Sequence, residues 1–133
     1  MSGSIVYLDS SALIKLIFEE AETSGLSDFL RAWPSRASSS VASVEVLRTA
    51  QLVDDDLVNA DAHNVLAHVH LIRPDDVLLG AATRLEPPAL RSLDAIHLAT
   101  ALSLGPELGG MVVYDRRLAD AARRAGVTVW APG

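Results

Sequence analysis

Four carboxylates in this 133-residue chain stand where a negative charge is hard to accommodate. Asp9 ends the apolar run "IVYL" and opens "DSSALIKL", and Asp115 follows "MVVY". Glu45 has Val44, Val46 and Leu47 as neighbours in "SSVASVEVLR", and Asp94 interrupts "SLDAIHLATAL", otherwise built of Leu, Ala, Ile and Thr. Taken singly, Asp9 and Asp115 read as helix caps, because a carboxylate at a helix start accepts bonds from free backbone N–H groups. Glu45 alone reads as an exposed partner of Arg48, a pairing worth roughly 0.2–0.5 kcal/mol. Asp94 resists that treatment. Ser92 is the better-placed cap, and an unpaired buried carboxylate is costly enough to demand a cation or a partner charge.

Taken together, the four acids describe a hard oxygen environment. The chain has no cysteine and no ligand-spaced histidine pair, so the donor set selects magnesium or manganese over zinc or copper. Like charges this close raise one another's pKa, which couples metal binding to proton release. The chemistry suited to such a site is phosphoryl transfer, in which the metal offsets phosphodiester charge, activates a water and stabilises the leaving oxygen.

The elements that must position these groups follow from periodicity. Ile5 to Leu8, Met111 to Asp115, and "VTVWA" from Val127 are short apolar runs rich in β-branched residues, as in buried parallel strands. Arg36 to Ser40 is a fourth candidate. Helical spacing covers Ser11 to Glu20, Leu26 to Trp33, "SVEVLRTAQLV", "NADAHNVLAHVHLI", "DDVLLGAATRL", Leu90 to Leu104 and "RRLADAARRAG". Glu86-Pro87-Pro88 is a loop, and Gly109–Gly110 leads into a strand. Strands alternating with helices imply an α/β fold with a mainly parallel sheet between helical layers, as one domain over residues 1–133. Asp9 and Asp115 then lie beyond the carboxyl ends of strands, the edge where open α/β sheets bind ligands.

Composition sets bounds without naming a partner. A formal charge of −6 argues against a generic nucleic-acid coat, yet the basic residues are ten Arg and the single Lys15, and Arg suits bidentate phosphate contacts. The absence of cysteine excludes disulfides and thiol catalysis. Positions 1–4 carry no charged leader, and no apolar run approaches the roughly 20 residues of a membrane span, so a soluble, cytoplasmic protein is expected.

The order "YLDSSALIKL", "SSVASVEVLR", "SLDAIHLATAL", "VVYDRRLADAARRAG" resembles the PIN domain, in particular the VapC toxins of bacterial VapBC toxin–antitoxin pairs, over nearly the whole chain. The resemblance implies a three-layer α/β/α fold and a Mg²⁺- or Mn²⁺-dependent endoribonuclease. It also implies a homodimer, held inactive by a cognate VapB-type antitoxin. By position it assigns the four catalytic acids to Asp9, Glu45, Asp94 and Asp115, with Asp9 and Asp94 as the principal metal ligands. Glu45 and Asp115 complete the site directly or through water. Ser10 and Ser11 supply hydroxyls beside the first acid. The family commonly has Thr or Ser two residues before the fourth acid, where this chain has Val113, a departure that bears most on Asp115.

Other residues have two readings each. His97, one helical turn after Asp94, is either a phosphate contact or a packing, hydrogen-bonding histidine. Arg116 and Arg117 either touch substrate phosphates or the antitoxin, or are solvated first-turn arginines. His63, His68 and His70 read as surface residues, and Trp33 and Trp130 as packing groups. A response-regulator receiver needs an adjacent acidic pair after the first strand, where this chain has Ser10 and Ser11. A haloacid-dehalogenase-type phosphatase needs Asp-x-Asp, and Ser11 takes the second place. The remaining rival is a catalytically inactive PIN-like module that binds protein or RNA. Nothing in the sequence selects among transfer, ribosomal and messenger RNA.

Overall fold

The structure, a computed structural model, describes residues 3–133. The chain runs β1 (Ile5–Leu8), α1 (Ser10–Ile17), α2 (Thr23–Leu30), β2 (Ser35–Ser39), α3 (Val41–Gln51), α4 (Asp56–Ala67), β3 (His70–Ile72), α5 (Asp76–Thr83), α6 (Ser92–Leu102), β4 (Leu108–Val112), α7 (Arg116–Arg124) and β5 (Val129–Trp130). A 3₁₀ turn at Gly105–Glu107 links α6 to β4. All strand pairs are parallel, in the order β3-β2-β1-β4-β5.

The pleat of β1 divides the core. Val6 and Leu8 face one side, where they meet Ala12 and Leu13 of α1, Leu26 and Leu30 of α2, Val46 of α3 and Leu66 of α4. Tyr7 faces the other side with Leu98 and Ala101 of α6 and Leu118 and Ala122 of α7. Both faces are covered, which is why β1 is apolar throughout rather than alternating. The fifth helix, α5, packs Leu78 and Ala82 onto Ala95 and Ala99 of α6. This is the α/β/α layering expected of the sequence.

Chain direction explains which helix lies where. From β1 the chain moves outward to β2 and β3, carrying α1–α4 on one face; it then returns past β1 to β4 and β5, carrying α5–α7 on the other. Right-handed crossovers place helices on opposite faces when the direction of travel reverses. The reversal falls between β1 and β4, so the residues following these two strands flank a crevice.

Two elements differ from expectation. The stretch Asn59 to Ile72, expected as one helix, breaks after Ala67, and His70–Ile72 forms an edge strand on β2. "HVHLI" repeats apolar residues at a spacing that suits either a helix end or a strand, and only pairing with Ala37–Ser39 decides it. Gly109 and Gly110, expected to precede the strand, lie inside β4, which starts earlier and ends at Val112. A Cβ on Gly109 would stand 2.5 Å from the Trp33 ring, and one on Gly110 would stand 2.5 Å from the Trp130 ring and 2.7 Å from the Thr128 carbonyl oxygen. The two glycines let Trp33 and Trp130, whose rings are 5.3 Å apart, close over the strand.

Because backbone as well as ring obstructs residue 110, Gly110→Ala should destabilise the fold by about 1–3 kcal/mol. Urea unfolding should show a lower midpoint at unchanged slope; an unaltered midpoint would mean that β4 and Trp130 shift apart freely.

Candidate active site

The end of β1 delivers Asp9 to the crevice. Its backbone is extended (φ −78°, ψ 178°), and its Oδ1 caps α1 by accepting from Ala12 N at 3.0 Å and from Ser11 Oγ at 2.7 Å. Both bonds go to Oδ1, which leaves Oδ2 without a hydrogen-bond partner among the described residues. Asp9 is only 4% exposed. Burial pushes its carboxyl pKa up, the bonds from Ser11 and Ala12 oppose this, and the charge of nearby Asp94 adds to the rise. The cap reading therefore holds for Asp9, and the cap uses only one of its two oxygens.

The next residue ties α1 to the other face of the sheet. Ser10 Oγ donates to Glu45 Oε1 at 2.5 Å and lies 3.0 Å from His97 Nε2, which is itself 3.1 Å from the same Glu45 oxygen. His97 is 2% exposed, and its Nδ1 lies 2.6 Å from the Tyr7 hydroxyl. Burial pushes the Tyr7 hydroxyl pKa up, so the hydroxyl keeps its proton in this link to the His97 ring. Burial raises the pKa of Glu45, but the bonds from His97 and Ser10 outweigh it, and the group settles below the usual carboxylate range. Glu45 is thus held by Ser10 and His97 instead of forming the Arg48 pair considered from sequence.

Asp94 and Asp115 are joined by a residue that sequence reasoning missed. Arg91, just before α6, donates from Nε to Asp94 Oδ2 at 3.1 Å and from Nη2 to Asp115 Oδ2 at 2.8 Å. Asp94 is on the first turn of α6, its side chain 14% exposed. Asp115 caps α7 through Oδ1, which accepts from Arg117 N at 2.7 Å and Leu118 N at 3.4 Å. Ser92 makes no capping bond at the start of α6. The signal for Arg91 was present, since a basic residue three before Asp94 can reach it across one helical turn.

The remaining candidates divide. His97 belongs to the buried Tyr7–Glu45 link, which is the hydrogen-bonding reading. Arg116 is exposed at the start of α7 beside Asp115 and touches none of the four acids. Val113 is buried in the core with Leu98 and Leu118. The histidines His63, His68 and His70 are all exposed, and His68 Nδ1 is bonded to the Asn64 carbonyl oxygen at 2.8 Å. Among the described residues, no three His, Asp or Glu side chains stand close enough together to hold a metal ion as placed.

A family model for the PIN domain matches residues 6–124. At 45% identity over 127 residues, the chain resembles Ribonuclease VapC46 of Mycobacterium tuberculosis, with 96% of this chain and 97% of that protein covered. The protein belongs to the VapC ribonucleases, a PIN-domain family. Ribonuclease VapC35 of the same species is 40% identical over 133 residues, covering 97% and 98% of the two chains. The crystal structure of M. tuberculosis VapC20, described as a sarcin–ricin loop cleaving toxin, superposes with a TM-score of 0.67 at 16% identity, covering 92% of this chain and 96% of that one. That structure shares the fold. The "LDSS", "VEVL", "LDAIH" and "YDRR" acids thus belong to a VapC chain.

An acid whose folded pKa is raised loses folded-state stability as pH climbs from the ordinary carboxylate range through the raised value. Asp9→Asn keeps the capping oxygen and cannot ionise. In EDTA its Tm should match wild type below about pH 4 and exceed it increasingly toward neutrality. A variant less stable than wild type at neutral pH would show that Asp9 is fully compensated within the protein.

Proposed function

We propose that this VapC protein is a divalent-metal-dependent endoribonuclease, built as one PIN domain over residues 1–133, which hydrolyses RNA phosphodiester bonds. We further propose that it acts in the cytoplasm as the toxin of a type II pair, as a homodimer neutralised by a cognate VapB-type antitoxin. The observation that carries the reading is the approach of Asp9, Glu45, Asp94 and Asp115, from four different elements, to the crevice where the strand order reverses.

The donor set fits Mg²⁺ or Mn²⁺. All four acids offer oxygen, Asp9 Oδ2 is unpartnered, and the charges of Asp9 and Asp94 oppose each other in a way a cation would relieve. Asp9 and Asp94 would hold the ion, with Glu45 and Asp115 reached through water. When bound, the ion supplies charge neutralisation at the phosphodiester and a lowered pKa for water.

The protein's own groups account for the rest. Glu45, kept ionised by Ser10 and His97, accepts a hydrogen bond from the attacking water and fixes its direction. Its depressed pKa makes it better at orienting that water than at removing a proton outright. Tyr7 anchors the His97 ring that bonds Glu45, and Ser11 holds Asp9 in place. Arg116 and Arg117, exposed beside Asp115, would meet substrate phosphates or the antitoxin.

Purified, antitoxin-free protein incubated with total bacterial RNA should produce discrete new ends with Mg²⁺ or Mn²⁺ and none with EDTA. Asp94→Asn should reduce cleavage by at least about 10²-fold, the scale on which a single group that stabilises developing charge acts. Metal-independent cleavage, or full activity in the variant, would defeat the proposal. RNA binding without any cleavage would favour the inactive binding module.

A further inference from the structure

We propose that Arg91 is a built-in counter-ion which occupies the acidic site in the metal-free protein and must release Asp94 before a divalent ion binds. The inference rests on the metal-dependent reading of the same site and assigns the residue that sets its metal affinity.

Three observations support it. One guanidinium spans two acids from different elements, Nε on Asp94 Oδ2 and Nη2 on Asp115 Oδ2. Its charge also stabilises the ionised form of Glu45, so Arg91 faces three of the four acids. With Arg91 there, no three acidic or histidine side chains among the described residues stand close enough to surround a metal. The guanidinium holds one oxygen each of Asp94 and Asp115.

Folding stability does not explain this placement. The Arg91 side chain is 65% exposed, and exposed ion pairs contribute little. Arginine remains ionised at any physiological pH, so no proton loss vacates the site. Only a competing cation does. A divalent ion wins by its higher charge and by recruiting Asp9 Oδ2, which the guanidinium leaves unpartnered. Arg91 is thus a positioning residue. It keeps the acids near one another when the metal is absent and sets a threshold for metal entry.

The test is Mn²⁺ titration by calorimetry on metal-stripped wild type, Arg91→Gln, Arg91→Lys and Arg84→Gln, with the metal-induced rise in Tm as a second readout. Arg84 is exposed and pairs with no carboxylate among the described residues, so it controls for net charge. Arg91→Gln should bind Mn²⁺ on the order of tenfold more tightly, the scale of one charge-assisted bond. Its Tm should rise further on adding metal, while Arg84→Gln stays near wild type. Arg91→Lys, which cannot span both acids, should fall between; it is read alone if Arg91→Gln does not fold. If wild type binds Mn²⁺ and the Arg91 variants bind equally or more weakly, the inference is overturned and the metal site stands. If no form binds Mn²⁺, both fall together.

Discussion

A carboxylate buried at the end of the central strand, with other carboxylates facing it, is the constraint around which this molecule is arranged. Asp9 is almost wholly enclosed, and desolvation disfavours its charge. A chain that placed it there only to cap α1 could have used serine or asparagine, which cap as well without a charge to bury. The surroundings respond to that charge. Ser11 and the Ala12 amide satisfy one oxygen, and the other has no hydrogen-bond partner among the described residues.

The same charge problem is solved differently at each of the other acids. Glu45 is held by two donors, Ser10 and a buried histidine that is also bonded to a buried tyrosine. Asp115 shares its oxygens between the free amides of α7 and Arg91. Asp94 depends on Arg91 alone. Asp94 has the fewest donors, a single guanidinium bond, and Asp9 is the most deeply buried of the four. Topology brings them together: β1 and β4 are neighbours in the sheet although a hundred residues separate them, and the reversal of chain direction between them opens the crevice.

Much of this was legible in the sequence, for identifiable reasons. Asp9, Asp94 and Asp115 were visible because each breaks or ends an apolar segment, and a charge in such a place needs an explanation. The layered α/β architecture was visible because buried parallel strands and amphipathic helices have distinct periods. Edge strand β3 was not visible, since three residues carry too little periodicity to separate a strand from a helix end, and its identity lies in its pairing with β2. The position of Gly109 and Gly110 inside β4 depends on two tryptophans from remote segments, Trp33 and Trp130. Arg91 and the Tyr7–His97–Glu45 link were missed for the same reason. The Arg91–Asp115 and Tyr7–His97 bonds join distant parts of the chain, 24 and 90 residues apart, whereas the Arg91–Asp94 pair, three residues apart, was within reach of a local reading.

The central claim is that these four acids form a metal site. The most direct measurement is anomalous diffraction from crystals of the protein grown in Mn²⁺. The account predicts a single strong peak between the Asp9 and Asp94 carboxylates, with Arg91 turned away from Asp94. A peak elsewhere, or none in the crevice at saturating Mn²⁺, would contradict it.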